Sequence, residues 1–200
     1  FDEVKKLYSM ILAGKSAAAD DWKKRKSEWA SKNPELDTKL NSFFAGILPE
    51  IDYKAIQQKE GQATRAASAA MLSIYATKIE NMIVASADLA NSDKTDGFLK
   101  NTKPFIKGDF SGAFLHAGVS ELTMASVMNG MALHGGVIPA CGTFFVFSDY
   151  MKPAVRLACL MGLPVKYIWT HDAFRVGEDG PTHQPVEQEA QLRLMEHLKN

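Results

Sequence analysis

The chain has 200 residues, of which 46% are apolar, and its 23 Lys and Arg balance its 23 Asp and Glu. This apolar content is sufficient for the core of one large domain, or of one domain with an appendage. The balanced charge does not favour nucleic acid or an anionic membrane surface as a partner, so an anionic ligand has to be held by local groups. We find no signal-peptide pattern and no apolar run long enough to span a bilayer.

The two cysteines, Cys141 and Cys159, both lie in apolar stretches of the sequence. This placement predicts buried thiols in a reducing compartment rather than a disulfide framework, and we expect a cytoplasmic protein. The chain opens with Phe1 inside a helical pattern and without an initial Met. We therefore expect it to be a segment of a longer protein.

Residues 1 to about 30 carry many charges and a helical stripe of apolar side chains, which Asn33-Pro34 interrupts. A short apolar segment follows, and then a polar run that ends near residue 61 and is typical of a linker. We predict a domain boundary there, which separates residues 1–60 from a domain at 61–200. No candidate catalytic residue stands out before this boundary.

From Thr64 onwards, apolar segments with the length of strands alternate with helical patterns. We predict that Thr64 caps a helix, and that residues 91–112, which are rich in Lys, Asp and Gly, form a flexible region. The predicted strands are 82–85, 113–116, a segment within 137–147, and 164–169.

The remaining helices have recognisable ends. A turn at 118–121 opens a helix that two glycines end at 135–136, Ser148 caps the next helix, and Gly162 closes it. A final helix is predicted from about residue 186 to 198. Strands that alternate with helices in this way predict an α/β fold with a mostly parallel sheet, helices on both faces and a helical segment before it.

The longest predicted loop, at 170–185, follows the last strand. In an open α/β sheet, ligands bind at the carboxyl ends of the strands, and loops there carry chemistry on a rigid support. A solvated surface loop is the simpler interpretation, but glycine and proline pivots around so many ionisable groups favour a site. These groups are His171, Asp172, Glu178, Asp179 and His183.

The residues alone predict an α/β ligand-binding or catalytic domain without naming a reaction. Several segments, however, occur in the order in which a known family has them, and together they make the chain resemble the pyrimidine-binding domain of transketolase. They are ATR at 63–65, SADL at 86–89, GVSE at 118–121, MNG at 128–130, GTFFVFSDY at 142–150, THD at 170–172 and GEDGPTHQP at 177–185.

Two departures from the family pattern are visible. Ser120 and Leu122 flank Glu121 where the family usually has Arg and His, and 108–110 is Gly-Asp-Phe rather than the diphosphate and metal motif Gly-Asp-Gly. The resemblance therefore implies that residues 1–60 are the tail of a preceding diphosphate-binding domain with its linker. Residues 61–200 are then the pyrimidine-binding domain without its carboxyl-terminal part, and no metal ligand is expected in this chain.

The resemblance implies a thiamine diphosphate site. Glu121 is expected to hydrogen-bond the pyrimidine ring nitrogen and to favour the imino tautomer, while Phe144, Phe147 and Tyr150 enclose the aminopyrimidine and Asp88 lies beside the thiazolium. Without the resemblance, Glu121 is a first-turn residue that favours the helix dipole by under about 1 kcal/mol. The three aromatic residues are then core side chains at a strand-to-helix turn.

The resemblance also implies a sugar phosphate site. Arg65 and Ser92 are expected to hold the phosphate, with His171 at the same end of the substrate. Asp179 is expected to accept a hydrogen bond from a donor hydroxyl, and His183 to lie over the reacting carbon and handle protons. A surface arginine and a loop serine remain the alternative interpretation of the first two.

The implied reaction moves a two-carbon ketol unit from a ketose phosphate, such as xylulose 5-phosphate, to an aldose phosphate, such as ribose 5-phosphate, in the pentose phosphate pathway. Thiamine diphosphate serves as electron sink, and magnesium or calcium lies in the other domain of a homodimer with active sites between subunits. We expect the isolated segment to be inactive. The open alternatives are deoxyxylulose-phosphate synthase, dihydroxyacetone synthase and a non-catalytic assembly domain.

Overall fold

A computed structural model of the chain describes residues 1–173, 176 and 179–196. The chain divides into two compact units, Phe1–Ala45 and Gly46–Asn200. The first unit consists of helix α1, Asp2–Lys32, and helix α2, Pro34–Phe44. Asn33 leaves the helical conformation with φ −137° and ψ 60°, and Pro34 begins α2, which confirms the predicted interruption.

Four strands form the sheet in the described residues of the second unit: β1, Met82–Ser86; β2, Phe114–His116; β3, Ile138–Phe144; and β4, Lys166–Thr170. Their order in the sheet is β2-β1-β3-β4, and all neighbours are parallel. Val84 of β1 lies opposite Phe114 on one side and Ala140 on the other. The predicted parallel α/β sheet is therefore confirmed.

The described part of this unit contains six helices. Of its three 3₁₀ turns, Tyr53–Ala55 precedes the first of these helices, and Phe145–Phe147 and Pro181–His183 lie between later ones. The helices are α3, Thr64–Lys78; α4, Ala90–Asp93; α5, Asp96–Leu99; α6, Glu121–His134; α7, Ser148–Leu160; and α8, Gln188–Glu196.

Two apolar cores cover the two faces of the sheet. Because successive strand residues point to opposite faces, Val84 packs with Leu72 of α3 and with Phe98 of α5. Its neighbour Ala85 belongs to the other core, which α6, α7 and α8 complete. The predicted helices on both faces are confirmed.

Several local predictions were wrong. Thr64 and Ser148 are the first helical residues rather than caps, because Ala63 and Phe147 occupy the N-cap positions. Cys159 is only half-buried, whereas Cys141 is buried as expected. The last predicted helix begins two residues later than expected, and residues 197–198 of that prediction lie outside the described residues.

The predicted flexible region at 91–112 contains α5 and the end of α4. These helices have four residues each, which is too short for a recognisable hydrophobic period. Tertiary packing fixes them instead: Phe98 is 1% exposed, and Gly97 approaches the backbone of Ala69 so closely that a Cβ would collide with it. The prediction is therefore wrong for residues 91–99, which tertiary packing rather than local propensity orders.

Gly142 in the middle of β3 permits a second close approach. A Cβ added there would lie 2.5 Å from Cγ2 of Thr95 and 3.0 Å from Oδ2 of Asp93. The α4–α5 turn therefore packs directly against the backbone of β3.

We expect Gly142→Ala to lower the free energy of unfolding by about 1–3 kcal/mol, the usual cost of overpacking a core. Chemical denaturation of the full-length protein that contains this chain measures the change. Gly130→Ala in α6 is the matched control, because its new Cβ would meet no described atom within 4 Å and alanine favours a helix over glycine by about 1 kcal/mol. Equal stability of the two variants would contradict the close approach at Gly142.

Candidate functional site

A cavity of about 580 Å³ opens at the carboxyl ends of the strands. The segments that follow all four strands contribute to its wall, as expected for a parallel sheet. Most of the lining is apolar, so we refer to it as the apolar cavity. It is lined by Ala87, Asp88, Leu89, Val119, Glu121, Phe147, Tyr150 and His183.

Glu121 presents an acceptor in this cavity. It is the first residue of α6 and is only 7% exposed. Among the described residues, no side chain or backbone group donates a hydrogen bond to its carboxylate. A buried carboxylate without a donor is costly, so its oxygens are available to a ligand in the apolar cavity.

Aromatic rings form part of the wall of the apolar cavity: Phe147 and Tyr150 line it, and the ring of Phe144 stacks on that of Phe147. The ring centroids of Phe144 and Phe147 are 5.7 Å apart with planes 8° from parallel, and those of Phe147 and Tyr150 are 6.0 Å apart at 28°. The 3₁₀ turn and the first turn of α7 place these residues three apart on one side of the chain. Tyr150 remains 63% exposed.

His183 meets the same rings from another side. Its imidazole makes edge contacts with Phe147 at 5.4 Å and with Phe144 at 6.1 Å between centroids. Nδ1 lies 2.8 Å from Oγ1 of Thr182. This contact orients the ring and leaves Nε2 for a group in the apolar cavity.

Asp88 enters the cavity from the segment after β1 with a left-handed backbone, φ +66°. A non-glycine residue in this conformation is held by its surroundings rather than by its own preference. The next amide, that of Leu89, donates to Oγ of Ser86 at 3.2 Å. This bond fixes the chain immediately after the strained residue.

A second cavity, of about 950 Å³, lies beside β4 and the start of α3. Charged and polar side chains are prominent in its lining, so we call it the polar cavity. They include Arg65, Ser68, Thr170, His171, Asp172 and Asp179.

Arg65 and His171 meet in the polar cavity. Nη1 of Arg65 lies 3.1 Å from the carbonyl oxygen of Ser92 and 3.0 Å from Nε2 of His171. A guanidinium only donates, so Nε2 of His171 accepts and carries no proton. The proton of the neutral ring is then on Nδ1, which donates to Oγ1 of Thr170 at 2.9 Å.

The electrostatics agree with this tautomer. Burial lowers the pKa of His171 below its ordinary value of 6.5, and the Arg65 guanidinium lowers it further. Asp179 and Asp93 oppose this shift and His183 adds to it, but the net direction is downward. The neutral imidazole that Arg65 requires is thus the favoured form.

One edge of the planar Arg65 guanidinium is available to a ligand. Both hydrogens of Nη1 are used, whereas Nε and Nη2 make no hydrogen bond with any residue that the structure describes. Their N–H groups form the edge of the guanidinium that pairs with two oxygens of a phosphate or carboxylate.

Phe144 connects the two cavities. Its ring stacks on His171 with centroids 3.6 Å apart and contacts His183 on the apolar side. The ten predicted site residues therefore lie in or against the two cavities. The apolar group comprises Asp88, Glu121, Phe144, Phe147, Tyr150 and His183, and the polar group comprises Arg65, Ser92, His171 and Asp179.

The sequence reasoning did not identify Asp93, which is fully buried behind the site. Its Oδ1 accepts from the amide of Thr95 at 2.9 Å and from Oγ1 of the same residue at 2.7 Å. An Asp followed two residues later by Thr is the signal for such a turn, because Asp often binds the amide two residues on.

Two further findings concern metals and membranes. Within 1–173, 176 and 179–196, no three His, Cys, Asp or Glu side chains gather in a group that could hold a metal ion. No helix in this described part of the chain has both the length and the apolar composition needed to cross a membrane.

Comparisons with known proteins point to one family. The family described as "Transketolase, pyrimidine binding domain" matches residues 60–199. A transketolase from Bacillus subtilis (strain 168) is 46% identical over 181 residues, which make up 89% of this chain and 27% of that protein. A transketolase from Halalkalibacterium halodurans is 42% identical over 200 residues, 98% of this chain and 30% of that protein. The chain thus spans less than a third of these relatives.

Solved structures agree with the sequence comparisons. A transketolase from Leishmania mexicana matches 90% of this chain and 27% of its own, with a TM-score of 0.81 and 35% identity. A Pichia stipitis transketolase in complex with sedoheptulose 7-phosphate matches 92% of this chain and 28% of its own, with a TM-score of 0.79 and 35% identity.

We expect Arg65→Met to raise the pKa of His171 towards its ordinary value, because the cation that opposes protonation is removed. The folded protein lowers the pKa of His171 below the value of about 6.5 that the unfolded chain has. The hydrogen bond between Arg65 and His171 therefore contributes to the free energy of unfolding above about pH 6.5, and this contribution is lost as the pH falls through the lowered pKa. Nuclear magnetic resonance of labelled histidines in the full-length protein measures this titration and the Nδ1–H tautomer.

The matched control is Arg156→Met in α7, which also removes a cation but leaves the polar cavity intact. An Nε2–H tautomer of His171 near neutral pH would contradict the hydrogen bond from Arg65. So would an unchanged His171 titration in Arg65→Met.

Proposed function

The chain belongs to the transketolase family, of which it contains the pyrimidine-binding domain, and we propose that it supplies this domain to a thiamine diphosphate-dependent transketolase. The proposed reaction transfers a two-carbon ketol unit from a ketose phosphate to an aldose phosphate. The observation that carries the proposal is the apolar cavity with its stacked rings and buried carboxylate, joined through Phe144 to the polar cavity with its arginine.

The residues of the apolar cavity fit thiamine diphosphate. The stacked rings of Phe147 and Tyr150 suit a flat heteroaromatic group. The buried carboxylate of Glu121, which accepts no hydrogen bond from a described residue, suits a ring nitrogen that must be protonated. When bound, the cofactor supplies the electron sink for carbon–carbon bond cleavage. We propose that Phe144, Phe147 and Tyr150 hold the pyrimidine and that Asp88 lies beside the thiazolium.

Glu121 has the proposed task of holding a proton at the pyrimidine ring nitrogen, which favours the imino tautomer. A general acid or base must lie within hydrogen-bond reach of the atom it serves. The burial of Glu121 at the cavity wall supports this, because a carboxylate that faced water would be exposed to competing donors.

His183 and Asp179 are the proposed groups at the reacting end of the sugar. The edge contacts of His183 with Phe144 and Phe147 hold its ring in the wall of the apolar cavity. We propose that it lies over the reacting carbon there and handles the protons of the oxygens bound to the reacting centre. Asp179 lines the polar cavity and is exposed. We propose that it accepts a hydrogen bond from the donor hydroxyl next to the carbonyl.

Arg65 is the proposed anchor of the substrate phosphate. The edge of its guanidinium that carries the Nε and Nη2 hydrogens matches two phosphate oxygens. His171 and Ser92 lie at the same end of the site. The Pichia stipitis relative is described in complex with sedoheptulose 7-phosphate. We therefore propose sugar phosphates as substrates here.

We propose that residues 1–60 are the tail of a preceding diphosphate-binding domain and its linker, ahead of the pyrimidine-binding domain at 61–200. Magnesium or calcium would be bound by the other domain, and a homodimer would complete the site. The isolated segment would then be inactive. We also propose a reducing, cytoplasmic location, which is supported by the free thiols of Cys141 and Cys159.

The substrate pair tests the proposed reaction. The full-length protein is expected to turn over xylulose 5-phosphate with ribose 5-phosphate in the presence of thiamine diphosphate and magnesium. Activity restricted to pyruvate with glyceraldehyde 3-phosphate would assign it to a related synthase. Absence of turnover with both pairs would favour an assembly domain.

Glu121→Ala is expected to lower kcat by about 10²- to 10⁴-fold, the typical contribution of a general acid–base group. Ser120→Ala, at the adjacent N-cap, removes only a hydrogen bond to the carbonyl of Ala117 and should leave kcat within a fewfold of wild type. Steady-state kinetics with saturating cofactor distinguishes the two. Comparable activity in both variants would show that Glu121 is only a helix-start residue.

Three variants separate the roles in the polar half of the site. Arg65→Ala should raise KM for phosphorylated donors and leave unphosphorylated donors almost unchanged. Asp179→Ala should weaken discrimination between donor stereoisomers, because a site built to bind a hydroxyl rejects analogues that lack it. His183→Ala should slow turnover of every donor. Equal losses by all three variants on every substrate would contradict these roles.

A further inference from the structure

Asp93, the last residue of α4, is a buried carboxylate that the proposed chemistry does not use. It is 0% exposed, and no Lys or Arg in the described part of the chain forms an ion pair with it. Its Oδ2 accepts from Oγ of Ser86 at 2.7 Å, and its Oδ1 accepts from the amide and the hydroxyl of Thr95. Three donors therefore satisfy the carboxylate in place of a cation.

Such a group costs free energy to bury. Burial raises the pKa of Asp93, while the hydrogen bonds from Ser86 and Thr95 lower it. An apolar side chain would fill the position without this desolvation cost. The carboxylate is thus better explained by the geometry that it imposes than by the stability that it adds.

The hydrogen bonds of Asp93 close the segment 86–95 at both ends. Ser86 is the last residue of β1, and Thr95 precedes α5. Between them, Asp88 and Lys94 adopt left-handed backbones at φ +66° and +67°. Each of these conformations costs a non-glycine residue free energy. The segment therefore needs interactions that hold its two ends together, and we refer to the hydrogen bonds of Asp93 with Ser86 and Thr95 as the tie.

This segment contributes to both cavities. Asp88 lines the apolar cavity, and the carbonyl oxygen of Ser92 accepts from Nη1 of Arg65 in the polar cavity. Ser92 and Asp93 also share the carbonyl of Leu89 as acceptor of their amides, at 2.8 Å each. A shift of the Asp93 carboxylate would move both groups.

We propose that Asp93 is a positioning residue that sets the distance between the cofactor-side Asp88 and the phosphate-side Arg65, by tying Ser86 to Thr95 across the loop. The proposal rests on the proposed function for the identity of the two ligands. It predicts that a substitution of the buried Asp93, which contacts neither ligand, weakens the binding of both the cofactor and the sugar phosphate.

The first test is Asp93→Ala in the full-length protein. Loss of the three hydrogen bonds is expected to weaken thiamine diphosphate binding, measured by calorimetry with magnesium, and to raise KM for xylulose 5-phosphate, each by about tenfold or more. Asp93→Asn is the conservative variant: its amide oxygen can accept from Thr95 and its amide nitrogen can donate to Ser86. It should restore both values to within about threefold of wild type.

Val155→Ala is the control for a merely structural loss. Val155 is buried in the core on the other face of the sheet, so its truncation should lower the melting temperature without changing either binding constant. A shift of both binding constants in Val155→Ala equal to that in Asp93→Ala would overturn the proposal. So would an Asp93→Asn variant as impaired as Asp93→Ala.

Hydrogen exchange tests the tie without reference to function. In Asp93→Ala, the amides of Leu89 and Thr95, which Ser86 and Asp93 now bind, should exchange at least tenfold faster than in wild type, while those of β3 stay unchanged. If Asp93→Ala does not fold, Ser86→Ala replaces it, because it removes the hydrogen bond between Ser86 and Asp93 and the one from the amide of Leu89. This variant should accelerate exchange at Leu89, and it should weaken cofactor binding by a larger factor than it raises KM for xylulose 5-phosphate. Unchanged exchange at these amides would overturn the proposal.

A failure of the proposed function can be distinguished from a failure of the role proposed for Asp93. Wild-type protein that neither binds thiamine diphosphate nor turns over the sugar phosphates would refute the proposed function, and the exchange rates would still decide whether Asp93 ties the loop. Wild-type protein that does both, with Asp93→Ala unchanged in both, would refute only the role of Asp93.

Discussion

The reversal of strand order at β1 constrains the whole arrangement of the site. The chain leaves β1 for β2 on one side and later returns to β3 on the other, so the carboxyl ends of β1 and β3 lie side by side while their connections diverge. A crevice must open there. The turn between α4 and α5 fills its base, and Gly142 allows that turn to rest on the backbone of β3.

The same strand order gives the two cavities linings of different polarity. The apolar cavity draws on the segments after all four strands, which here carry rings and small apolar side chains. The polar cavity lies beside β4, the last of the described strands on that side, where the start of α3 brings Arg65 next to His171. The proposed heteroaromatic and anionic groups would therefore meet separate surroundings, and the ring of Phe144 lies between these two environments.

The sequence predicted the strands and helices that have a regular apolar pattern. It did not predict the features that depend on contacts between residues far apart in the chain. Strand-length apolar runs predicted β1 to β4 and the parallel sheet, because buried strands need them. The short helices α4 and α5 were missed because Gly97 and Phe98 owe their conformation to α3. The position and composition of the loop after the last strand marked His171, Asp179 and His183 as candidates, and the family resemblance added the other candidates and the proposed roles. Their division between two cavities, and the ties from Asp93, required the structure.

The contact between Arg65 and His171 is the clearest case, because 106 positions separate the two residues. A free arginine has up to about 2 kcal/mol of rotamer entropy to lose when it binds a ligand. Here Ser92 and His171 fix Nη1 before any ligand arrives, so that part of the entropy is lost on folding rather than on binding. The neutral imidazole is essential to this arrangement: a protonated His171 would have a second N–H directed at the guanidinium instead of a lone pair. Burial is the largest cause of the lowered pKa of His171, and the Arg65 guanidinium lowers it further. Both effects favour the neutral imidazole whose lone pair holds the arginine in place.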